Sequence, residues 1–463
     1  MSKKKKRILL LSDDLRMSSG IATMSKEFVL GTVDKYDWIQ LGAAIDHPEK
    51  GKEFDLSADV AKQTGVEDAY VRVIPWAGYG DANIVRHLMM KYEVDAILHF
   101  TDPRYWRWLY EMEAEIRENI PIFFYHIWDD LPDPDYNRDY YESCDWLGCI
   151  SRQTYGIVNR VGSIDSETIE PLKSWQVSYV PHGINPNVYK PTNVPDDFMK
   201  QALQNKEYDF TVFWMNRNIK RKQPSDVIWA YKLFVDGLPE EKRQKTLLIM
   251  HTTPQDQNGT DLLAVKNKIC PDYNVFFSTA RVDQNQLNYI YNIADVTINI
   301  AGNEGFGLTT AESLMAGTPT IVNVTGGLQD QVGFKWKDTD KYLTAADYKK
   351  IGSLHDWRKW EDKVTPGDWC KPVWPRVQTM VGSIPTPYII DDKVDVHEVA
   401  QKIREWYDTP KIERDELGLK GREWMLTDGG LNSENMCKTL SDGMEKAWKN
   451  WKPKKRYNLY KIA

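Results

Sequence analysis

The chain has 463 residues, 27% of them charged and 41% hydrophobic, with a formal net charge of −7 at pH 7. At about 150 residues per domain this length implies two or three domains of a soluble globular protein. No apolar run approaches the roughly 20 residues of a bilayer span, and the negative balance excludes a chain coated in positive potential, so contact with nucleic acid or an anionic membrane requires a local patch.

The start, MSKKKKR, has the charge of a secretory leader, but the apolar ILLLS after it stops at Asp13 and Asp14, so no export is expected. Short apolar runs follow at RILLLS (7 to 12), DAILHF (95 to 100), IPIFFYHIW (120 to 128) and WLGCIS (146 to 151), with amphipathic segments between them. That alternation predicts buried parallel strands in βαβ order, and residues 1–190 are read as a first Rossmann-like domain. The polar, proline-bearing stretch 190–209 reads as a linker. Alternation resumes at FTVFWM (210 to 215), TLLIMH (246 to 251), NVFFS (274 to 278), VTINIA (296 to 301) and TPTIVNV (318 to 324), giving a second domain over 208–430. Within it, 333–388 is rich in tryptophan and basic residues and shows no clear strand; it reads as an insertion that either packs as a lid or stacks on an anionic acceptor. PYIIDD and the helix VHEVAQKIREWYD restore the rhythm, and 431–463 holds a C-terminal helix from Ser433 and a basic tail, read like the basic run at 3–7 as solvated.

Five scattered cysteines (Cys144, Cys149, Cys270, Cys370, Cys437) without a CxxC pair suit a reducing cytoplasm and neither a disulfide framework nor structural zinc. No residue cluster has metal-ligand spacing, and DPD at 133–135 reads as a turn.

The densest signal is NIAGNEGFGLTTAESLMAGTP (299 to 319). Gly302, Gly305 and Gly307 permit a tight turn and close approach to a ligand, and a helix starting near Leu308 aims unpaired N–H groups at an anion. Glu304 in the turn suits a sugar ring, and Glu312 within the helix suits ribose hydroxyls, since acids accept from hydroxyls and repel phosphate. Taken alone, the same residues describe an ordinary βα turn with surface acids. Arg217 and Lys222 in MNRNIKRKQ lie after the strand 210–215, placed to neutralise a departing diphosphate. In the first domain Gly20 opens the first helix, and His126 ends a strand, where it faces a crevice or serves packing. The fingerprint GxGxxG is absent, so no nicotinamide cofactor is expected.

Five segments together resemble the nucleotide-sugar glycosyltransferases of the GT-B fold, in the large retaining family 4: SSGIATMSKEF, SCDWLGCISRQTYGIV, YVPHGINPNVYKP, MNRNIKRKQPSDVIWAYKLF and LNYIYNIADVTINIAGNEGFGLTTAESLMAGTPTIVNVTGG. The resemblance implies an α/β architecture of two doubly wound Rossmann-like domains facing a central cleft. It also implies roles. Glu304 holds the donor sugar, and Glu312 binds the ribose. Arg217 and Lys222 bind the diphosphate, with Gly20, Gly305, Gly307 and the amides of Leu308 and Thr309 completing the cradle, and His126 lies near sugar and acceptor. It implies transfer with retention, no metal and no cofactor beyond a nucleoside-diphosphate sugar, with UDP preferred to GDP; no stable membrane insertion is expected, since the helix at 21 to 30 lacks the basic amphipathic face of a monotopic anchor. The aromatic texture of FFYHIWDDLPDPDYNRDYY is similar to phage-encoded enzymes that decorate hydroxymethylated pyrimidines, making DNA the expected acceptor and the host cytoplasm the expected place; a glycan or lipid acceptor, a nucleotide-sugar epimerase and a catalytically silent binding protein are the alternatives.

Overall fold

A computed structural model describes residues 4–128, 130–163 and 171–454; the basic tail from 455 onward lies outside the described residues. The chain divides into two compact units. One combines the stretch up to Trp128 with Asp133–Gly183 and the stretch from Ser433; the other holds Ile184–Asn432 and the short segment ending at Pro132. The boundary therefore falls at Gly183, ahead of the polar stretch 190–209, because that stretch is tied to the second unit: Asn288 and Asn292 accept from the Lys190 and Thr192 amides at 3.0 and 2.8 Å. The C-terminal helix Ser433–Asn450 groups with the first unit.

The first unit is built on strands β1 (Lys6–Asp13), β2 (Tyr36–Ala43), β3 (Phe54–Asp55), β4 (Val71–Pro75), β5 (Ala96–Phe100), β6 (Ile122–His126), β7 (Trp146–Cys149) and β8 (Val177–Tyr179), in the order β3-β4-β2-β1-β5-β6-β7-β8. All pairings are parallel except β3 with β4. Ile8 to Leu11 are wholly buried, as a strand covered on both faces requires. The strand order reverses beside β1, which puts a crevice at the carboxyl ends of β1 and β5.

The second unit carries β9 (Phe210–Met215), β10 (Thr246–His251), β11 (Val275–Ser278), β12 (Val296–Asn299), β13 (Thr320–Asn323), the small pair β14 (Lys335–Trp336) and β15 (Val364–Thr365), then β16 (Cys370–Val373) and the hairpin β17 (Val377–Ser383) and β18 (Thr386–Lys393). Its parallel sheet runs β11-β10-β9-β12-β13-β16, reversing between β9 and β12. The expected pair of doubly wound sheets is what the structure contains.

The segment 333–388 departs from its sequence reading. It holds the sheet's last strand, β16, which pairs parallel with β13. Pro372 lies in that strand and is tolerated because the strand is at the edge. PYIIDD forms half of the separate antiparallel hairpin and does not rejoin the main sheet. None of the five tryptophans of this segment is exposed. Trp369 and Trp374 are buried, Trp357 lies against the guanidinium groups of Arg358 and Arg376 at 4.9 and 4.7 Å, and Trp360 against Lys363 at 5.0 Å. Arg376 also pairs with Glu361 and Glu398, both at 2.8 Å. The aromatic and basic side chains thus satisfy one another in a packed subdomain.

Among the described residues no helix is long and apolar enough to cross a membrane, and all five cysteines are buried and unbridged.

Candidate functional site

The switch point of the second sheet brings two loops together. After β9 the chain makes a short 3₁₀ turn, Lys220–Lys222; after β12 it makes the glycine-rich turn. The Gly302 amide donates to the Arg221 carbonyl at 2.7 Å, and the Arg221 guanidinium donates to the Asn303 carbonyl at 2.7 Å, so each loop fixes the other. Lys222 then lies against Glu304 in an ion pair whose side chains are only 8% and 12% exposed. Burial raises the Glu304 carboxyl, but the Lys222 and Arg221 charges and the bonds from Lys222 and Asn299 outweigh it, leaving the group below the usual carboxylate value and ionised at neutral pH.

The turn is caged by backbone. Gly327 donates to the Glu304 carbonyl at 2.8 Å, and a Cβ at Gly327 would stand 2.2 Å from the Gly305 carbonyl oxygen. The Gln331 amide donates to the Phe306 and Gly307 carbonyls at 2.6 and 2.8 Å. Gly307, at φ 89°, is the N-cap of the helix Leu308–Ala316 and has no side chain to cap it. The first-turn N–H groups at Leu308 and Thr309 are therefore left for another acceptor, the arrangement that favours an anion. The Thr309 hydroxyl donates to the Met215 carbonyl at 2.9 Å, anchoring that helix end to β9. Replacing Gly307 with alanine is expected to cost about 1–2 kcal/mol in backbone strain, beyond a contact 2.4 Å from Leu328. Thermal unfolding should show the loss, together with a raised KM for the donor.

Glu312, on the same helix, is 5% exposed and accepts from the Tyr291 hydroxyl at 2.7 Å. Burial pushes its carboxyl up to about 7, against the opposing pull of the Tyr291 and Tyr189 hydroxyls.

Arg217 goes elsewhere. Its side chain is 65% exposed and pairs with Asp256 at 2.9 Å, so the second cation that acts on Glu304 is Arg221. Gly20 and His126 belong to the first unit. Gly20 opens its helix behind Ser19, whose hydroxyl accepts from the Ala22 amide at 3.1 Å and donates to Asp13 at 2.6 Å, which sets an acid where a phosphate was expected. His126 is wholly buried with Nε2 2.8 Å from the Tyr141 hydroxyl, and burial, with Arg104 and His99, lowers it to about 3. Its ring is neutral at physiological pH and takes up no second proton in that range.

Sequence reading missed Arg221, although it stands inside MNRNIKRKQ, and the partners Tyr291 and Asp256. Tyr291, in LNYIYNIADV, lies on the preceding helix, where helical spacing offers the only signal.

Residues 195–336 match the family described as glycosyl transferases group 1. No curated protein sequence matches the chain significantly. Solved structures match nearly end to end. The sucrose-phosphate synthase from Thermosynechococcus elongatus has a TM-score of 0.67 at 14% identity, covering 96% of this chain and 100% of its own. The trehalose-6-phosphate structure from E. coli bound with UDP-2-fluoro glucose has a TM-score of 0.64 at 13% identity, over 95% and 99% of the two chains. Anabaena HepE in complex with UDP-glucose has a TM-score of 0.62 at 11% identity, also over 95% and 99%. The fold is thus the GT-B fold, and the glycine-rich turn, Lys222 and Glu304 all fall inside the matched segment.

Proposed function

We propose, for a chain that carries a group 1 glycosyltransferase domain, that it transfers a sugar from a nucleoside-diphosphate donor to an acceptor hydroxyl with retention of anomeric configuration. The observation that carries the reading is the Lys222–Glu304 pair at the uncapped start of the helix Leu308–Ala316.

The helix amides and Lys222 receive the diphosphate. Glu304 stays ionised beside the sugar, accepts its hydroxyls and balances charge that grows at the anomeric carbon. The C1–O bond to the β-phosphate breaks with its electron pair going to the phosphate oxygen, where Lys222 and the amides stabilise it. The acceptor oxygen bonds to C1 from the same face, and its proton passes to that departing oxygen. Glu304 is a positioning residue in this scheme and forms no bond to carbon. Glu312 holds the ribose, and UDP is the preferred nucleotide. Arg217 reaches the diphosphate once it leaves Asp256. The charge needed at the leaving group comes from the protein, so turnover is expected to persist in EDTA.

The acceptor in the first reading is a hydroxymethylated pyrimidine in DNA, reached in a cytoplasm. A saccharide acceptor is favoured by one observation: none of the tryptophans of 333–388 is exposed, and Trp357 and Trp360 lie against that segment's own cations. The test is incubation with single UDP- and GDP-sugars and each acceptor class. Nucleoside diphosphate release, product mass and the anomeric proton coupling are the readouts. Release with an added sugar of unchanged anomeric configuration is expected. No release from any donor overturns the transferase reading, and an inverted product overturns the same-face step.

A further inference from the structure

The carboxyl edge of the first sheet holds a group of side chains that donor chemistry does not use. After β4 the loop Trp76–Gly80 presents Tyr79 between Gly78 and Gly80, at φ 66° and 77°. Both conformations are ones that L side chains rarely adopt. The loop is pinned to the end of β2, since Ala44 donates to the Gly78 carbonyl at 2.8 Å and a Cβ at Gly80 would stand 2.8 Å from Leu41. After β5, Asp102 accepts from the Arg104 amide at 3.0 Å and so starts the 3₁₀ turn Pro103–Trp106, which carries Tyr105. The two tyrosine rings stack with centroids 4.7 Å apart and planes within 7°, and the wholly buried Trp106 meets Tyr79 edge-on at 5.7 Å. Tyr79 covers one face of Tyr105, yet Tyr105 is 58% exposed, so the open area is a flat aromatic ring held from behind.

Beside this ring stands the end of β1. Ser19 occupies Oδ2 of Asp13, leaving Oδ1 to accept from a hydroxyl. Ser12 pairs with Phe100 across β1 and β5, so Asp13 and Asp102 follow neighbouring strand ends; burial, and after it the charges of Asp13, Tyr105 and Asp102, raise the Tyr79 phenol. Two nearby arginines are neutralised. Arg104 pairs with Asp102 at 2.6 Å and lies over Trp128, while Arg16 pairs with Asp14 at 2.6 Å and lies over Phe54. What remains at the edge is an aromatic platform and an acid, Asp13, that bonds to Ser19 and has no cationic partner among the described residues.

We propose that the Tyr79–Tyr105 platform with Asp13 is a binding subsite for a neutral saccharide ring, and that this ring is the acceptor. The proposal rests on the transferase reading for the word acceptor alone. The C–H face of a sugar ring covers an exposed aromatic ring, and its hydroxyls donate to a carboxylate. A polyanion finds Arg104 and Arg16 already paired and is repelled by Asp13.

The test uses the full chain without donor. Labelled protein is applied to an array of neutral oligosaccharides and to a duplex containing hydroxymethylcytosine, and each saccharide retained is measured by calorimetry. At least one is expected to bind, with Kd rising about tenfold or more in Tyr105→Ala, little change in Tyr105→Phe, and weakening in Asp13→Asn. Tyr105 is exposed, so its alanine variant should fold, and an unchanged melting temperature will establish that. No saccharide bound by the native protein, equal binding by Tyr105→Ala, or binding of the duplex alone overturns the proposal. The transferase reading is judged separately: if the native protein releases no nucleoside diphosphate from any sugar donor, that reading fails and the array result still decides whether saccharide binds at this edge.

Discussion

Replacing Lys222 with alanine is expected to lower kcat by about 10²–10³, the usual cost of removing one preorganised donor from a developing oxyanion. The same change strands Glu304. With both side chains largely buried, loss of the cation leaves a carboxylate whose burial is no longer offset by its strongest partner. Its pKa should rise, and the fold should lose stability, on the order of 3–5 kcal/mol for a broken buried pair. The double variant Lys222→Ala with Glu304→Gln separates the two effects. It should regain most of the melting temperature, because no uncompensated charge remains, and none of the turnover. If the single variant keeps native kcat, Lys222 does not serve the leaving group; if the double variant is as unstable as the single, the pair is not what Glu304 needs.

A pH series on Glu312 should give the second large effect. Its carboxyl ordinarily titrates near 4.5 and is pushed up to about 7 in the folded chain. Between those values the folded state keeps a proton that the unfolded state has released. Stability is therefore fully present below about pH 4.5 and declines as pH rises through 7, by about 3 kcal/mol in all. Glu312→Gln should remove that slope from denaturant midpoints taken between pH 4.5 and 7.5. Donor binding should run the other way, because the ionised carboxylate accepts two ribose hydroxyls and the protonated one cannot. At pH 8 the glutamine variant should raise the donor KM by about 10–100-fold with little change in kcat, and at pH 6 the gap should narrow. A KM gap that does not depend on pH would remove Glu312 from the ribose site.

Much of this arrangement was legible before folding was considered. The buried strands β1, β9, β10 and β12 announce themselves because parallel strands covered on both faces need unbroken apolar runs. The turn at Glu304 is legible because glycine there answers a steric demand: Gly307 takes a left-handed conformation, and the glycines of the 326–327 turn lie against its backbone. β2 is harder. YDWIQLGA carries polar residues in a buried strand, and Gln40 is tolerated only because Ser12 and the Asp13 carbonyl accept from its amide at 2.7 and 2.9 Å. β16 hides behind Pro372, which looks like a strand breaker until the strand is known to be at the edge. The direction of Arg217 depends on Asp256, which lies in a loop beyond two α-helices and another strand, and no local pattern couples the two. His126 shows the opposite failure. A histidine at a strand's carboxyl end reads as a crevice residue, but register sets that side chain against Tyr141.

The return of the last helix to the first unit has a consequence for how the protein is made. Ser433–Asn450 packs where Gly443 meets Trp146 and Gly31 meets Cys437, each so closely that a Cβ would stand 2.4 Å from the neighbouring side chain. The first unit therefore emerges from the ribosome with that face bare. At about 5–20 residues per second it waits roughly tens of seconds for its closing element, while the whole second unit is synthesised. Chain order and completion order are thus reversed: the unit that starts first finishes last, and nascent chains stalled before Ser433 should be the form that chaperones hold.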